Sequence, residues 1–237
     1  MSVGNSTVTL TNALSEKDLG VIFDQNLSFQ EEINTRVSKA NSITGIIRRT
    51  YSYLDAETFK LLFTSLVRPH LEYGAPIWYP SLKRDVNNLE KVQRWATKLI
   101  PGFQKYTYEE RLRQLKLPTL RFRRLRGDMI EVFKMMTGQY DTALPCILSK
   151  HEDSTTRGHS FKLKKERANT SVKLNFFKNR VINYWNRLPQ EVISAPSLNS
   201  FKNRLDAHWK THPLLYEWDA ESATSTLSKH VQQISTY

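Results

Sequence analysis

The sequence has little cysteine: Cys146 is the single one in 237 residues. That excludes an intramolecular disulfide and a cysteine-rich zinc site, and it fits a reducing, intracellular compartment, nuclear or cytoplasmic. Cys146 itself reads as a small apolar residue. No run of about 18 apolar residues occurs, so no segment reads as a membrane span. The N-terminus, MSVGNSTVTL, has neither the basic nor the apolar region of a secretory signal. No G-x-x-x-x-G-K-[ST] loop and no G-x-G-x-x-G turn is present to cradle phosphates. No two aspartates are adjacent, whereas two-metal phosphoryl transfer needs carboxylates that converge on ions about 4 Å apart. Asp18 and Asp24, around the apolar run Val21–Phe23, read as turn and strand-end residues. His208 and His212 stand four apart, but Pro213 follows and no third ligand is evident, so neither a metal nor a cofactor is expected.

What is present is positive charge, unevenly placed. The net charge is +12, from 35 Lys and Arg against 23 Asp and Glu. Lys105–Arg126 holds eight basic and two acidic residues, and Lys162–Arg180 holds seven and one. Each run is +6, so the two contain the whole excess; elsewhere 20 basic residues balance 20 acidic ones. Localised charge of one sign points to a polyanion, and two such runs favour nucleic acid over a merely solvated surface.

The apolar pattern is helical through most of the chain. Short β-prone runs come first, at 7–10 (TVTL) and 18–23 (DLGVIF). Ser28 and Glu31 have capping-box spacing, and Ile33, Val37, Ala40, Thr44 and Ile47 follow at the 3.6 period. Asp55 caps a second helix, which Pro69 interrupts and YGAPIWYP (Tyr73–Pro80) ends. A third runs from about Leu82 to Ile100 and stops at Pro101-Gly102. Thr107 and Glu110 form another capping box, for a short helix to about Leu115. The longest amphipathic stretch begins at Pro118 and ends at Gly138, with Phe122, Leu125, Met129, Val132, Phe133 and Met136 on one arc. Packing accounts for that arc but not for Arg121, Arg123, Arg124 and Arg126. A looser region from about 139 to 170 contains TTRGHS and the alternating FKLKKER, which hints at a strand. Two aromatic-rich helices close the fold, carrying Phe177, Val181, Tyr184, Trp185 and Leu188, then Leu198, Phe201, Leu205 and Trp209. After Asp219 the tail is polar and reads as unstructured.

Several long stretches carry a resemblance: EKDLGVIFDQNLSFQEEI, LFTSLVRPHLEYGAPIWYP, LEKVQRWATKLIPG, YEERLRQLKLPTLRFRRLRGDMIEVFKMM, TTRGHSFKLKKER and NRVINYWNRLPQEVISAPSLNSFKNRLDAHW. From about Glu16 to Trp209 the chain resembles the C-terminal part of the reverse transcriptase (RNA-directed DNA polymerase) of non-LTR retrotransposons of the jockey and chicken-repeat type. The resemblance implies that residues 1–27 are a remnant of a palm sheet, 28–138 a thumb-like helical domain, 139–218 a C-terminal helical extension and 219–237 a disordered tail. The expected fold is mainly α, a thumb-like bundle with a short β element whose sheet partners lie upstream. The family's aromatic-Ala-Asp-Asp motif has no counterpart here, so no catalytic residue carries over, and neither does an endonuclease. The chain is expected to be no enzyme by itself.

A thumb, by resemblance, grips the template–primer duplex along its backbone, and arginine and lysine suit that role because they neutralise phosphates without reading sequence. The candidates are Arg111, Arg113, Arg121, Arg123, Arg124 and Arg126, with Lys162, Lys164, Lys165 and Arg167 as a second patch. Arg48, Arg49, Arg94 and Lys98 are secondary. Two other readings stay open: a helical protein-interaction module using exposed aromatics such as Trp78 and Tyr79, and a peripheral membrane binder, disfavoured because the apolar faces are needed for a core. An unpaired N-terminal strand, with Val21, Ile22 and Phe23 partly exposed, would invite self-association.

Overall fold

Leu19 and Gly20 both take positive φ, 44° and 82°, and turn the chain back on itself. A two-residue loop of that kind suits the twist of a β-hairpin. In the computed structural model, which describes residues 13–140, 147–150 and 159–220, DLGVIF is therefore not one strand. It is the turn and second arm of an antiparallel pair, β1 (Ser15–Asp18) and β2 (Val21–Asp24), registered Asp18 on Val21 and Ser15 on Asp24. The expected strand at 7–10, Cys146, Thr155–Gly158 and the tail beyond 220 lie outside the described residues.

Among the described residues the sheet has these two strands, and the hairpin packs on helix α1 (Gln30–Thr50). Buried Glu32 accepts the Ile22 N–H at 3.0 Å, which closes the outer edge of β2. Arg36, four residues on, binds Glu32 and donates to the Gly20 carbonyl at 2.7 Å. Val21 is buried rather than exposed, with a Cγ2 that would meet a Cβ on Gly74 at 3.0 Å. Gly74 has φ +67°, so both its conformation and its neighbour call for glycine. Asp24 holds the entry to α1, accepting from the backbone N–H groups of Asn26, Ser28 and Phe29. Burial raises its pKa, but those donors outweigh burial and leave it below the usual carboxylate range. The Ser28–Glu31 capping box does not form: Asp24 takes the Ser28 N–H that Glu31 would accept, Ser28 Oγ accepts from Gln30 N–H, and Phe29, at φ 54°, is the N-cap. β1 remains an exposed edge, but it is four residues long and reads SEKD, a charged edge that discourages pairing.

α2 (Ala56–Leu62) starts on Asp55, whose side chain accepts from Glu57 and Thr58 N–H as the sequence suggests. It passes through a π turn, Phe63–Val67, into α3 (Arg68–Glu72). Pro69 explains the π turn. It has no N–H to donate, and its ring crowds the carbonyl four residues back, so the preceding turn widens. α4 (Lys83–Ala96), α5 (Tyr108–Leu115) and α6 (Leu120–Met136) follow. The Thr107–Glu110 box caps α5, Thr119 caps α6, and Gly138, at φ 67°, ends α6 as Gln139 N–H reaches back to the Lys134 carbonyl. Four further helices follow among the described residues: α7 (Ser171–Asn175), α8 (Phe177–Trp185), α9 (Gln190–Ile193) and α10 (Leu198–His208). FKLKKER forms no strand of its own, only a bridge from Leu163 to Lys150.

The molecule is mainly helical, with the short antiparallel hairpin at its N-terminal side. Its apolar interior has two parts. The first joins Val21, Ile33, Phe59, Phe63, Leu71, Trp78, Leu89 and Leu112 with the first residue of α6, Leu120. The second gathers Phe122, Met129 and Phe133 of α6 with Trp185, Phe201, Leu205 and Trp209. Phe133 stacks on Phe201 at 4.2 Å between ring centres. The two cores thus divide at the start of α6, and that helix contributes to both.

Candidate nucleic-acid interface

α6 lies between the two cores, and this position decides what its arginines do. Arg123 makes a two-point ion pair with Glu72 at the end of α3. Arg126 makes another with Asp206 of α10, at 2.6 and 2.7 Å. Arg121 donates to the carbonyls of Trp218 and Ala220, both at 3.0 Å. Arg124 is 4 % exposed. Burial lowers its pKa, against the pull of Tyr79, Glu90 and Glu72. Arg111 of α5 is 2 % exposed and donates to Thr97 Oγ1, the Tyr106 carbonyl and the Arg94 carbonyl. These are corrections to the expectation of a phosphate-gripping face: Arg111 and Arg124 are interior, and Arg121, Arg123 and Arg126 brace α6 against its neighbours. Arg113 is exposed, but its guanidinium pairs with Glu109 and covers the Tyr216 ring.

A C-terminal strap, Pro213–Ala220, accounts for part of this. Thr119 donates from N–H to Leu215 and from Oγ1 to Leu214, fixing the strap across the start of α6. The Arg94 guanidinium lies 5.0 Å from the Trp218 ring centre and 5.2 Å from that of Tyr108. Three arginines expected at phosphates, Arg94, Arg113 and Arg121, meet this strap instead. Of the other secondary candidates, Arg48, Arg49 and Lys98 are exposed.

Between the cores runs a polar seam that sequence reasoning missed. Arg180 of α8 pairs with both oxygens of Asp128 at 2.9 Å, donates to the Pro76 carbonyl at 2.8 Å and covers the Tyr79 ring at 4.3 Å. Burial pushes the Asp128 carboxyl up, and Arg180 offsets part of that. Glu90, fully buried, accepts from Tyr108 Oη at 2.6 Å and from Leu120 N–H. Its carboxyl is raised by burial despite those donors. Trp78 and Tyr79 belong to this region. Trp78 is buried, with Nε1 donating to the Tyr73 carbonyl, and Tyr79 lies under Arg180. Neither is the exposed aromatic that a protein-interaction surface would need.

The second patch has a different character. Lys164, Lys165 and Arg167 are exposed on an irregular segment, with exposed Lys173 on α7 nearby, while Lys162 is half-buried. Lys178 bonds Glu166 at 2.5 Å. Glu166 is held below the usual carboxylate range, first by the Lys178 hydrogen bond and charge, then by Lys173 and Lys164. One carboxylate thus sits among three lysines. No group of metal-ligating side chains occurs among the described residues, and none of their helices is long and apolar enough to cross a membrane. Comparison with protein-family models, curated proteins and solved structures gives no match for the chain.

Proposed function

We propose that the chain is a non-catalytic nucleic-acid-binding module, a remnant of the thumb and extension of a retrotransposon reverse transcriptase, that holds the duplex backbone without reading sequence. The contact surface is the patch of Lys164, Lys165, Arg167 and Lys173, with Lys162 beside it. Arg111, Arg121, Arg123 and Arg126 serve the framework that presents it. The observation that carries this reading is the lysine cluster around Glu166, which leaves exposed positive charge with a single carboxylate in its midst. Exposed cations of this kind release counterions when they meet phosphates, so affinity is non-specific, with Kd of roughly 10⁻⁴–10⁻⁶ M at physiological salt.

The test is fluorescence anisotropy with RNA, DNA and hybrid duplexes across a salt series. Replacing Lys164, Lys165, Arg167 and Lys173 by Gln should flatten the plot of log affinity against log salt by about 3–4, near 0.9 for each phosphate that is no longer neutralised. These side chains are exposed, so circular dichroism should not change. An unaltered salt slope would remove the patch as the contact surface. Primer extension above a mock purification would overturn the non-catalytic reading.

A further inference from the structure

A cleft of about 440 Å³ lies beside α6, between the end of α3 and α10. Its charged lining has two carboxylates, Glu72 and Glu131, and five cations, Arg123, Arg124, Arg126, Lys134 and Lys202. Three of the cations are already balanced: Arg123 by Glu72, Lys134 by Glu131 and Arg126 by Asp206. Lys202 has no acidic partner among the described residues. Arg124 is the anomaly. Its Nε, Nη1 and Nη2 are all buried, and none has a hydrogen-bond partner. A buried guanidinium without acceptors is costly, because it has lost water and gained nothing directional in return. The nearby carboxylates do not supply the lack. Glu90 directs its oxygens at Tyr108 and Leu120, Glu72 directs its own at Arg123, and Asp128 directs both of its own at Arg180.

We propose that this cleft is a binding site for a phosphate group, which supplies the acceptors that Arg124 lacks and sits between it and Lys202. A tetrahedral anion with several acceptor oxygens matches such a set, since charge-assisted hydrogen bonds from guanidinium and ammonium groups are the strong ones. The guanidinium nitrogens are buried, so binding includes a swing of the Arg124 side chain toward the cleft. The site is separate from the Lys164–Lys173 patch and does not rest on it. The phosphate belongs either to a small molecule or to a polynucleotide backbone, and the chemistry at Arg124 is the same.

The test uses the full chain and inorganic phosphate, inorganic pyrophosphate and a short DNA duplex, each against sodium chloride of equal ionic strength. Calorimetric titration and the thermal midpoint are the readouts. Phosphate or pyrophosphate should raise the midpoint above the chloride control. Arg124→Met should abolish that rise while its own midpoint stays level or increases, because a buried charge without acceptors has been removed. Lys202→Gln should weaken binding about tenfold, as expected when one charge-assisted hydrogen bond is removed. Competition of duplex with pyrophosphate would assign the site to backbone phosphate, and binding of pyrophosphate without competition would assign it to a small molecule. The same affinity in the Lys164, Lys165, Arg167 and Lys173 variant would separate this site from that patch. No rise beyond the chloride control overturns the proposal, as does parental affinity in Arg124→Met. Should that variant fail to fold, unchanged affinity in Lys202→Gln is equally decisive against it.

Discussion

Removing the Arg180 guanidinium should damage this protein more than removing any one of its surface charges. Arg180 joins three parts of the chain: α8, Asp128 on α6, and the Pro76 carbonyl in the segment after α3. Side-chain exposure of the Arg180–Asp128 pair is 10 % and 4 %, so water cannot replace either partner. Arg180→Met keeps most of the side-chain volume against Tyr79 and Phe177 but strands the Asp128 carboxylate in the seam. Breaking a buried pair on one side costs about 3–5 kcal/mol. A double variant, Asp128→Leu with Arg180→Met, removes both charges together, and apolar replacement of a buried pair is often neutral or stabilising. Its loss should therefore be clearly less than that of Arg180→Met alone. Urea unfolding monitored by tryptophan fluorescence measures each variant. A loss under about 1 kcal/mol for Arg180→Met would match an exposed pair and refute a structural seam. So would additive losses from the two single variants, since groups in one network should couple.

The N-terminal hairpin should behave as part of the first core. Val21→Ala should destabilise by roughly 1–3 kcal/mol through the cavity it leaves, and the Ile22 amide should exchange slowly; rapid exchange there would mean that Glu32 does not hold it. Stability should also fall with acid through the histidines. Burial lowers the pKa of His159 and of His212, so just below about pH 6.5 each of these two binds more protons in the unfolded chain than in the folded one. The stability they contribute is present above pH 6.5 and is lost as pH falls toward their folded values. His159 Nδ1 accepts from Phe161 N–H, so its Nε2 carries the proton donated to the Trp185 carbonyl at 3.1 Å. His159→Gln should flatten the slope of stability between pH 7 and 5, and an unchanged slope would exclude His159 as its source.

Where the fold is legible in the sequence, it is legible from short-range rules. The stripe Ile33, Ala40, Thr44 and Ile47 faces the core, Asp55 and Thr107 cap their helices, and Gly138 ends α6. Each depends on residues within about one helical turn. The failures near the N-terminus share a different cause. Asp18-Leu19-Gly20 reads as strand because leucine at positive φ is uncommon, and the turn it makes is what supplies β2 with a partner. Ser28 has the spacing to cap α1, but Asp24 binds the same turn with two oxygens and reaches three amides. A competitor four residues upstream is invisible to a motif defined by a spacing of three.

The arginines expose a deeper limit of sequence reading. A charge run gives no information about where its counter-charges lie. The acceptors for Arg123, Arg126 and Arg121 are 51, 80 and 97–99 residues away in the chain. Only the packing of α6 between two cores brings them into reach. The Lys162–Arg180 run is equally basic on paper, yet it divides by geometry. Arg180 turns into the seam and meets Asp128, whereas Lys164, Lys165 and Arg167 stay on an irregular segment with water on one side. Sequence holds a faint version of this difference. Arg121–Arg126 is interleaved with Leu120, Phe122 and Leu125, so a helix of period 3.6 must bury some of its arginines along with its apolar arc. Arg124 is the residue it buries without an acceptor. Arg123 and Arg126, half-buried, meet Glu72 and Asp206, whereas Arg124, turned fully inward, is left to the anion proposed for the cleft.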